Sequence, residues 1–171
     1  MQHPVTTELG LARMQINATL EAINELNIPT FWFWPNVDAG SDATSGAIRS
    51  FREKNAPKNI HFLKNMEPDD FLRLLVNSEC LVGNSSVGIR ECSYLAVPVV
   101  NIGTRQYRRL RGNNVLDVDY SKYQIMEAIK ERIEKKSQIK PEFIFGNGSA
   151  GKNIAKTLSE IKLRYHKTIY Y

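Results

Sequence analysis

The chain has 171 residues, 42% hydrophobic and 24% charged, which is the composition of one ordinary globular domain with enough apolar side chain to bury a core. It holds no run of about eighteen apolar residues and no charged-then-apolar leader, so neither a membrane span nor a secretory signal is expected, and the cytoplasm is the expected compartment. A net charge of +5 suits an anionic partner, yet Lys130 to Lys140 alternate with Glu127, Glu131 and Glu134 as a solvated helix face does, so nucleic acid is not expected.

In chain order, Met1 to Thr7 is extended. Leu9, Ala12, Ile16, Leu20, Ile23 and Leu26 then recur at three- and four-residue steps and predict an amphipathic helix of about twenty residues. A Pro-tethered His3 immediately before a helix reads as a piece of a longer protein. Thr30 to Trp34, bounded by Pro29 and Pro35, is too short for a helix and predicts a buried strand. Trp32 and Trp34 in that run are core or domain-interface residues before they are a sugar platform.

A loop at Asn36 to Ser41 leads to a helix over Ser41 to Lys54, and Asn59 to Leu63 is the next strand. Asp38 is a helix-start cap or part of a substrate-side loop. Pro68 opens a helix whose apolar side is Phe71, Leu72, Leu74 and Leu75. Further elements follow: strand Cys80 to Gly83, helix Ser86 to Leu95, strand Val97 to Ile102, a basic loop from Gly103 to Gly112, strand Val115 to Val118 and helix Lys122 to Lys136. A last helix runs from Gly151 to Arg164 on Ile154, Leu158 and Ile161, and the tail Tyr165 to Tyr171 has no clear pattern. Short strands alternating with helices predict an α/β fold, a Rossmann-like open parallel sheet with helices on both faces. Cys80 and Cys92 lack ligand or redox spacing, so no metal and no cofactor is expected.

Leu81 to Glu91 is the most informative stretch. A strand breaks at Gly83, turns through Asn84, Ser85 and Ser86, and feeds a helix, an arrangement that points free backbone N–H groups and two hydroxyls at an anion. Glu91 follows about one turn later, placed to accept from vicinal hydroxyls such as those of a ribose. The plainer alternative is a serine N-cap on an ordinary helix. In open parallel sheets ligands bind outside the carboxyl ends of the strands. The polar groups His3, Asn36 to Ser41, Asn65-Met66, Asn84 to Glu91 and Gly103 to Arg105 all fall in connections at that end, which favours an anionic, nucleotide-like ligand.

Five ordered motifs carry a resemblance: His3 to Thr6, Pro35 to Ser41, Gly83 to Glu91, Pro98 to Gln106 and Gly112 to Leu116. In order and spacing they resemble the C-terminal half of UDP-N-acetylglucosamine 2-epimerases, best the hydrolysing branch of sialic and legionaminic acid synthesis. The resemblance covers about residues 3 to 160. It implies one half of a GT-B two-domain architecture, so that residues 1–171 form a single domain with a tail from about 160 and an N-terminal half is its partner. It also implies UDP or a UDP-sugar as ligand, with the diphosphate at Ser85 and Ser86, the ribose at Glu91, Arg105 near the phosphates, Asn65 and Met66 at the uracil and Asn36 close by. His3 matches the family's catalytic histidine, and in protonated form it would stabilise departing UDP.

The implied reaction eliminates UDP across C1 and C2 and then adds water, giving N-acetylmannosamine or a related 2-acetamido sugar. The carboxylates that serve as base lie on the family's N-terminal half, so the isolated chain should bind UDP weakly and turn over nothing. The full-length protein is expected to be a homo-oligomer. Arg108-Arg109-Leu110-Arg111 stand where the non-hydrolysing bacterial branch has an acidic residue, which favours the hydrolysing branch and leaves the sugar open, a diacetamido-trideoxy sugar being the other choice. The rival readings are the C-terminal half of a GT-B glycosyltransferase and a non-catalytic nucleotide-sugar-binding module. His3 as an ordinary loop histidine is the plain alternative for that residue.

Overall fold

The computed structural model describes residues 1–162 and residue 166, so the predicted helix end at Arg164 and nearly all of the tail from Tyr165 lie outside the described residues. The helices are α1 (Ala12–Leu26), α2 (Ser41–Asn55), α3 (Pro68–Val76), α4 (Ser86–Ile89), α5 (Glu91–Tyr94), α6 (Lys122–Glu134) and α7 (Ala150–Glu160). The strands are β1 (Thr30–Phe33), β2 (Ile60–Leu63), β3 (Leu81–Gly83), β4 (Val99–Ile102) and β5 (Val115–Val118). Single 3-10 turns stand at Leu9–Leu11 and Lys136–Gln138.

Helix α1 is shorter than its apolar period suggests because its first turn is wound as the 3-10 segment. It buries Ile16, Leu20 and Ile23 and stops at Asn27, which takes the left-handed conformation and donates its N–H to the Ile23 carbonyl. Pro68 occupies the start of α3, where its missing N–H costs nothing, and Asp69 and Asp70 complement the positive end of that helix. β4 begins at Val99 rather than Val97, since Val97 N–H is committed to the Cys92 carbonyl and Pro98 has no N–H.

All strand pairs are parallel, but they form two sheets, β1 with β2 and β3–β4–β5. Alternation along the strands sends Trp32, Ile60, Val100 and Ile102 to one face, where they meet Ile16, Leu20 and Ile23 of α1, Ala47 and Ile48 of α2, and Ile125 and Ile129 of α6. Val99, Leu81 and Val115 point to the other face, against Leu75 and Phe71 of α3 and Val87 and Cys92 of α4 and α5. Helices cover both faces, as the strand–helix alternation predicts. Trp32 belongs to the core, 4% exposed. α7 buries none of its residues, and Ile154, Leu158 and Ile161 of its apolar stripe are exposed.

The predicted helix from Ser86 to Leu95 is two single turns, α4 and α5, parted at Arg90, whose φ of −100° and ψ of −74° leave the helical line. α4 lies so close to β4 that a Cβ on Gly88 would sit 2.8 Å from Val99 Cγ1. The macrodipole expected from a ten-residue helix is therefore not available at Ser85, and any anion seat there depends on local N–H groups and side chains.

Candidate functional site

The first residues of the chain run beside the end of β3. Met1 N donates to the Val82 carbonyl at 2.8 Å, and Asn84 N–H donates to the Met1 carbonyl at 3.1 Å. These two bonds are one rung of a parallel ladder in which Met1 stands opposite Gly83. A side chain at Gly83 has no room, since its Cβ would lie 1.8 Å from the Met1 carbonyl oxygen and φ is +134°.

Beyond that rung the side chain of Asn84 takes over from the backbone. His3 N–H donates to Asn84 Oδ1 at 2.7 Å and Asn84 Nδ2 donates to the His3 carbonyl at 2.8 Å. The Asn84 carbonyl accepts from Gln106 Nε2 at 2.7 Å and from Arg105 Nη1 at 3.2 Å. One buried asparagine, 1% exposed, thus fastens the N-terminal segment, the turn after β3 and the loop after β4 to one another.

His3 Nδ1 accepts the Asn36 N–H at 3.1 Å, so the imidazole carries its proton on Nε2. Burial, with Arg105 and the Met1 amine nearby, lowers its pKa to about 4, against an opposing pull from Asp38. His3 is therefore neutral near pH 7 in the ligand-free chain. It offers Nε2–H as a neutral donor, and the fixed positive charge beside it belongs to Arg105.

Arg105 Nη2 lies 3.8 Å from Asp38 Oδ2. Asp38 is therefore not a side-chain cap of α2, whose N-cap is Gly40 with no capping side chain. A cleft of about 480 Å³ opens here, lined by Pro4, Thr6, Asp38, Thr104, Arg105 and Tyr107 among others. Glu8 also lines it, its carboxylate shared between the Thr104 hydroxyl and Gln15 Nε2.

Ser85 and Ser86 follow Asn84 directly at the carboxyl end of β3. Ser85 is the N-cap of α4, with its Oγ accepting from Val87 N–H at 3.4 Å, so the cap reading and an anion seat coexist in one turn. Glu91 is half-buried, and its Oε2 is buried with no hydrogen-bond partner among the described residues. A buried carboxylate oxygen is costly to leave without a donor. Asn65 and Met66 lie in the connection from β2 to α3, at the carboxyl end of β2. No hydrogen bond among the described residues joins them to His3, Asn84 or Arg105.

The other arginines of the basic loop serve the loop itself. Arg109 donates to Gln106 Oε1, Arg111 to the Gln106 carbonyl and to Asp117, and the Arg108 guanidinium stacks on Tyr107. The lysines of the α6 region pair with Glu127, Glu131 and Glu79, as a solvated helix face does. Burial pushes the Cys80 thiol up to about 12 and the Cys92 thiol up as well, so both are packing residues.

The UDP-N-acetylglucosamine 2-epimerase family profile matches residues 1–159. This chain belongs to that family. It is 29% identical over 161 residues to a UDP-N,N'-diacetylbacillosamine 2-epimerase (hydrolyzing) of Legionella pneumophila, a match covering 94% of the chain and 42% of the relative. A UDP-N-acetylglucosamine 2-epimerase of Neisseria meningitidis is 33% identical over 131 residues, covering 77% of the chain and 34% of the relative. Among solved structures, the Methanocaldococcus jannaschii UDP-GlcNAc 2-epimerase in complex with UDP-GlcNAc and UDP superposes with a TM-score of 0.65 at 21% identity, over 86% of this chain and 41% of that one. The chain spans less than half the length of these relatives.

Asn84 and Gln106 hold the junction together, a role that the sequence pattern does not assign to them. Both stand inside the motifs that carry the resemblance, but their hydrogen-bond partners are 81 and 22 residues away. The usable signal was chemical, an amide side chain directly after a buried strand where a turn residue would suffice.

Proposed function

We propose that this chain is the UDP-binding half of a hydrolysing UDP-N-acetylglucosamine 2-epimerase, which eliminates UDP and inverts C2 to release N-acetylmannosamine or a related 2-acetamido sugar. The observation that carries the reading is the Asn84 junction, which ties His3, Arg105 and the Ser85-Ser86 turn together at the strand ends. In this reading Ser85 and Ser86 hold the diphosphate, and Arg105 leaves Asp38 to meet its charge. Glu91 Oε2 accepts from the ribose hydroxyls, and Asn36, Asn65 and Met66 line the path toward the base.

As the C1–O bond breaks, negative charge grows on the departing diphosphate. Arg105 and the Nε2–H of His3 are the groups that this chain contributes to it. The carboxylate that takes the C2 proton belongs to the N-terminal half, so this chain alone binds and does not turn over.

Calorimetric titration of the chain with UDP, UMP and free N-acetylglucosamine tests the reading. UDP is expected to bind most tightly, because the second phosphate adds charge-assisted hydrogen bonds at the serine turn and Arg105. Binding of UMP equal to UDP, or of the free sugar alone, overturns it.

A further inference from the structure

Asp38 and Arg105 face each other in the cleft beside His3, with Asp38 Oδ2 3.8 Å from Arg105 Nη2. At that distance they form a loose, partly exposed ion pair and not a hydrogen bond. The other guanidinium nitrogen, Nη1, donates to the Asn84 carbonyl at 3.2 Å, so Arg105 stays anchored while its Asp38 side remains open to a ligand.

Asp38 is held at the cleft by its main chain. Its N–H donates to the Asn36 carbonyl at 2.9 Å, and its carbonyl accepts the Ser41 N–H at 3.0 Å. Among the described residues its carboxylate accepts no hydrogen bond and touches no charge other than Arg105. The second carboxylate of the cleft, Glu8, is already engaged, because the Thr104 hydroxyl and Gln15 Nε2 donate to its two oxygens. Asp38 is the acceptor left open to a ligand's donors.

A carboxylate here works against a simple anion seat. A diphosphate drawn to Ser85, Ser86 and Arg105 takes the guanidinium from Asp38 and sets like charge beside it. An uncharged side chain would serve the loop as well, since Asp38 caps no helix.

The position of the charge makes chemical sense when the terminal phosphate carries a sugar. An ester there removes the second ionisation of that phosphate, so a sugar nucleotide brings about one negative charge fewer than the free nucleoside diphosphate. The sugar also brings hydroxyls and an amide N–H, donors that an open carboxylate matches. We propose that Asp38 is a specificity-determining residue that favours the glycosylated diphosphate over the free one, accepting from the sugar's polar hydrogens and repelling a bare terminal phosphate.

This rests on the nucleotide reading and deepens it, because the same side chain then promotes product release. While the sugar is in place its donors screen the carboxylate from the phosphates. Once the C1–O bond has broken and the sugar departs, the terminal phosphate has gained a charge and Asp38 has lost its donors. Both changes act against retention of UDP, and the pair of Asp38 with Arg105 in the ligand-free chain is the state that release restores.

Calorimetric titration of the 171-residue chain and its Asp38→Asn and Asp38→Ala variants with UDP and with UDP-N-acetylglucosamine tests the proposal. Asp38→Asn keeps the shape of the side chain and removes its charge. UDP should bind both variants at least about fivefold more tightly than wild type, since a repelling charge and a competitor for Arg105 are gone. UDP-N-acetylglucosamine should bind Asp38→Asn no more tightly than wild type, and Asp38→Ala more weakly, because an acceptor for its donors is lost. A merely structural Asp38 would move both ligands in the same proportion, and an Asp38 needed for the diphosphate seat would weaken UDP. Either result overturns the proposal. If the wild-type chain prefers UDP to UMP while the ratio of UDP to UDP-N-acetylglucosamine affinity is unchanged in the variants, the nucleotide reading stands and this one falls. If the wild-type chain binds no UDP, both fall.

Discussion

Asn84 and His3, 81 residues apart, exchange two hydrogen bonds, N–H to Oδ1 at 2.7 Å and Nδ2 to carbonyl at 2.8 Å. The amide side chain thereby acts as one more peptide unit of the ladder after the rung between Met1 and Gly83. Asn84→Ala leaves both a buried N–H and a buried carbonyl without partners, at about 1–3 kcal/mol each when water does not reach them. Urea unfolding should show a loss of about 2–4 kcal/mol. Asn84→Asp keeps the acceptor for His3 N–H and loses the donor to its carbonyl, so it should fall between wild type and alanine near pH 7. An alanine variant as stable as wild type would remove the junction from the account.

Gly83→Ala tests the same junction from the strand side. A Cβ at 1.8 Å from the Met1 carbonyl, on a backbone at φ +134°, cannot be absorbed by a side-chain shift. Stability should drop by more than about 3 kcal/mol. If residues 1–3 are removed as well, most of that penalty should vanish, because the clashing atom goes with them. A penalty unchanged by the deletion would assign it to φ alone.

The acid side of the stability curve follows from two buried bases. The Met1 amine is lowered from 8.0 to about 5 and His3 from 6.5 to about 4, chiefly by burial. In each case the unfolded chain takes up the proton first. Stability is complete above the unfolded values and falls as pH drops through about 8 to 5 for Met1 and 6.5 to 4 for His3. Each window amounts to a few kcal/mol at most, on the order of 1.4 per pH unit. Denaturant midpoints at pH 8, 6.5 and 5 should decline in that order. Acetylating the amino terminus should flatten the step from 8 to 6.5 and shrink the one below it to the His3 share. A midpoint independent of pH over this range would contradict the burial of both groups.

Sequence pattern carried the element order because each strand and helix is marked by its own neighbours: prolines around Thr30–Phe33, Pro68 ahead of α3, the three-and-four spacing of Ile16, Leu20 and Ile23. The polar groups it singles out stand at the carboxyl ends of the strands for the same reason, since each directly follows or flanks a strand. What it did not carry depends on partners far along the chain. The split of the sheet between β1 and β3, the tautomer of His3 set by Asn36 and the turn of Asp38 toward Arg105 all join residues more than thirty positions apart. The break at Arg90 was hidden too, because the helix pattern from Ser86 to Leu95 is locally sound and yields to the close approach of Gly88 to Val99.

Glu91→Gln separates a ligand role from a structural one. Oε2 is buried and accepts nothing from the protein among the described residues, so an amide of the same shape disturbs no internal bond at that atom. UDP affinity should fall about tenfold or more, the loss of a charge-assisted bond worth roughly 1.5–3 kcal/mol, and inorganic pyrophosphate should bind as before. Parallel loss of both ligands would make Glu91 a support of the α4–α5 turn.

His3 decides how the proposed elimination is assisted. With Nδ1 accepting from Asn36 and the ring neutral in the free protein, the role proposed for it toward the departing diphosphate is that of an Nε2–H donor, with no imidazolium titrating near 6.5. In the full-length protein, kcat/KM should therefore show no step near pH 6.5 that His3→Ala abolishes, whereas a protonated His3 would give one. The same variant should lose most turnover while retaining its melt, with Asn36 N–H reaching water in place of the ring. Turnover run in D2O should place deuterium at C2 of the product, since elimination removes that proton before water adds. Product without deuterium at C2, or full turnover in the folded His3→Ala protein, would reject elimination assisted by this histidine. The 171-residue chain alone, lacking the base, should exchange no proton at C2 of the UDP-sugar.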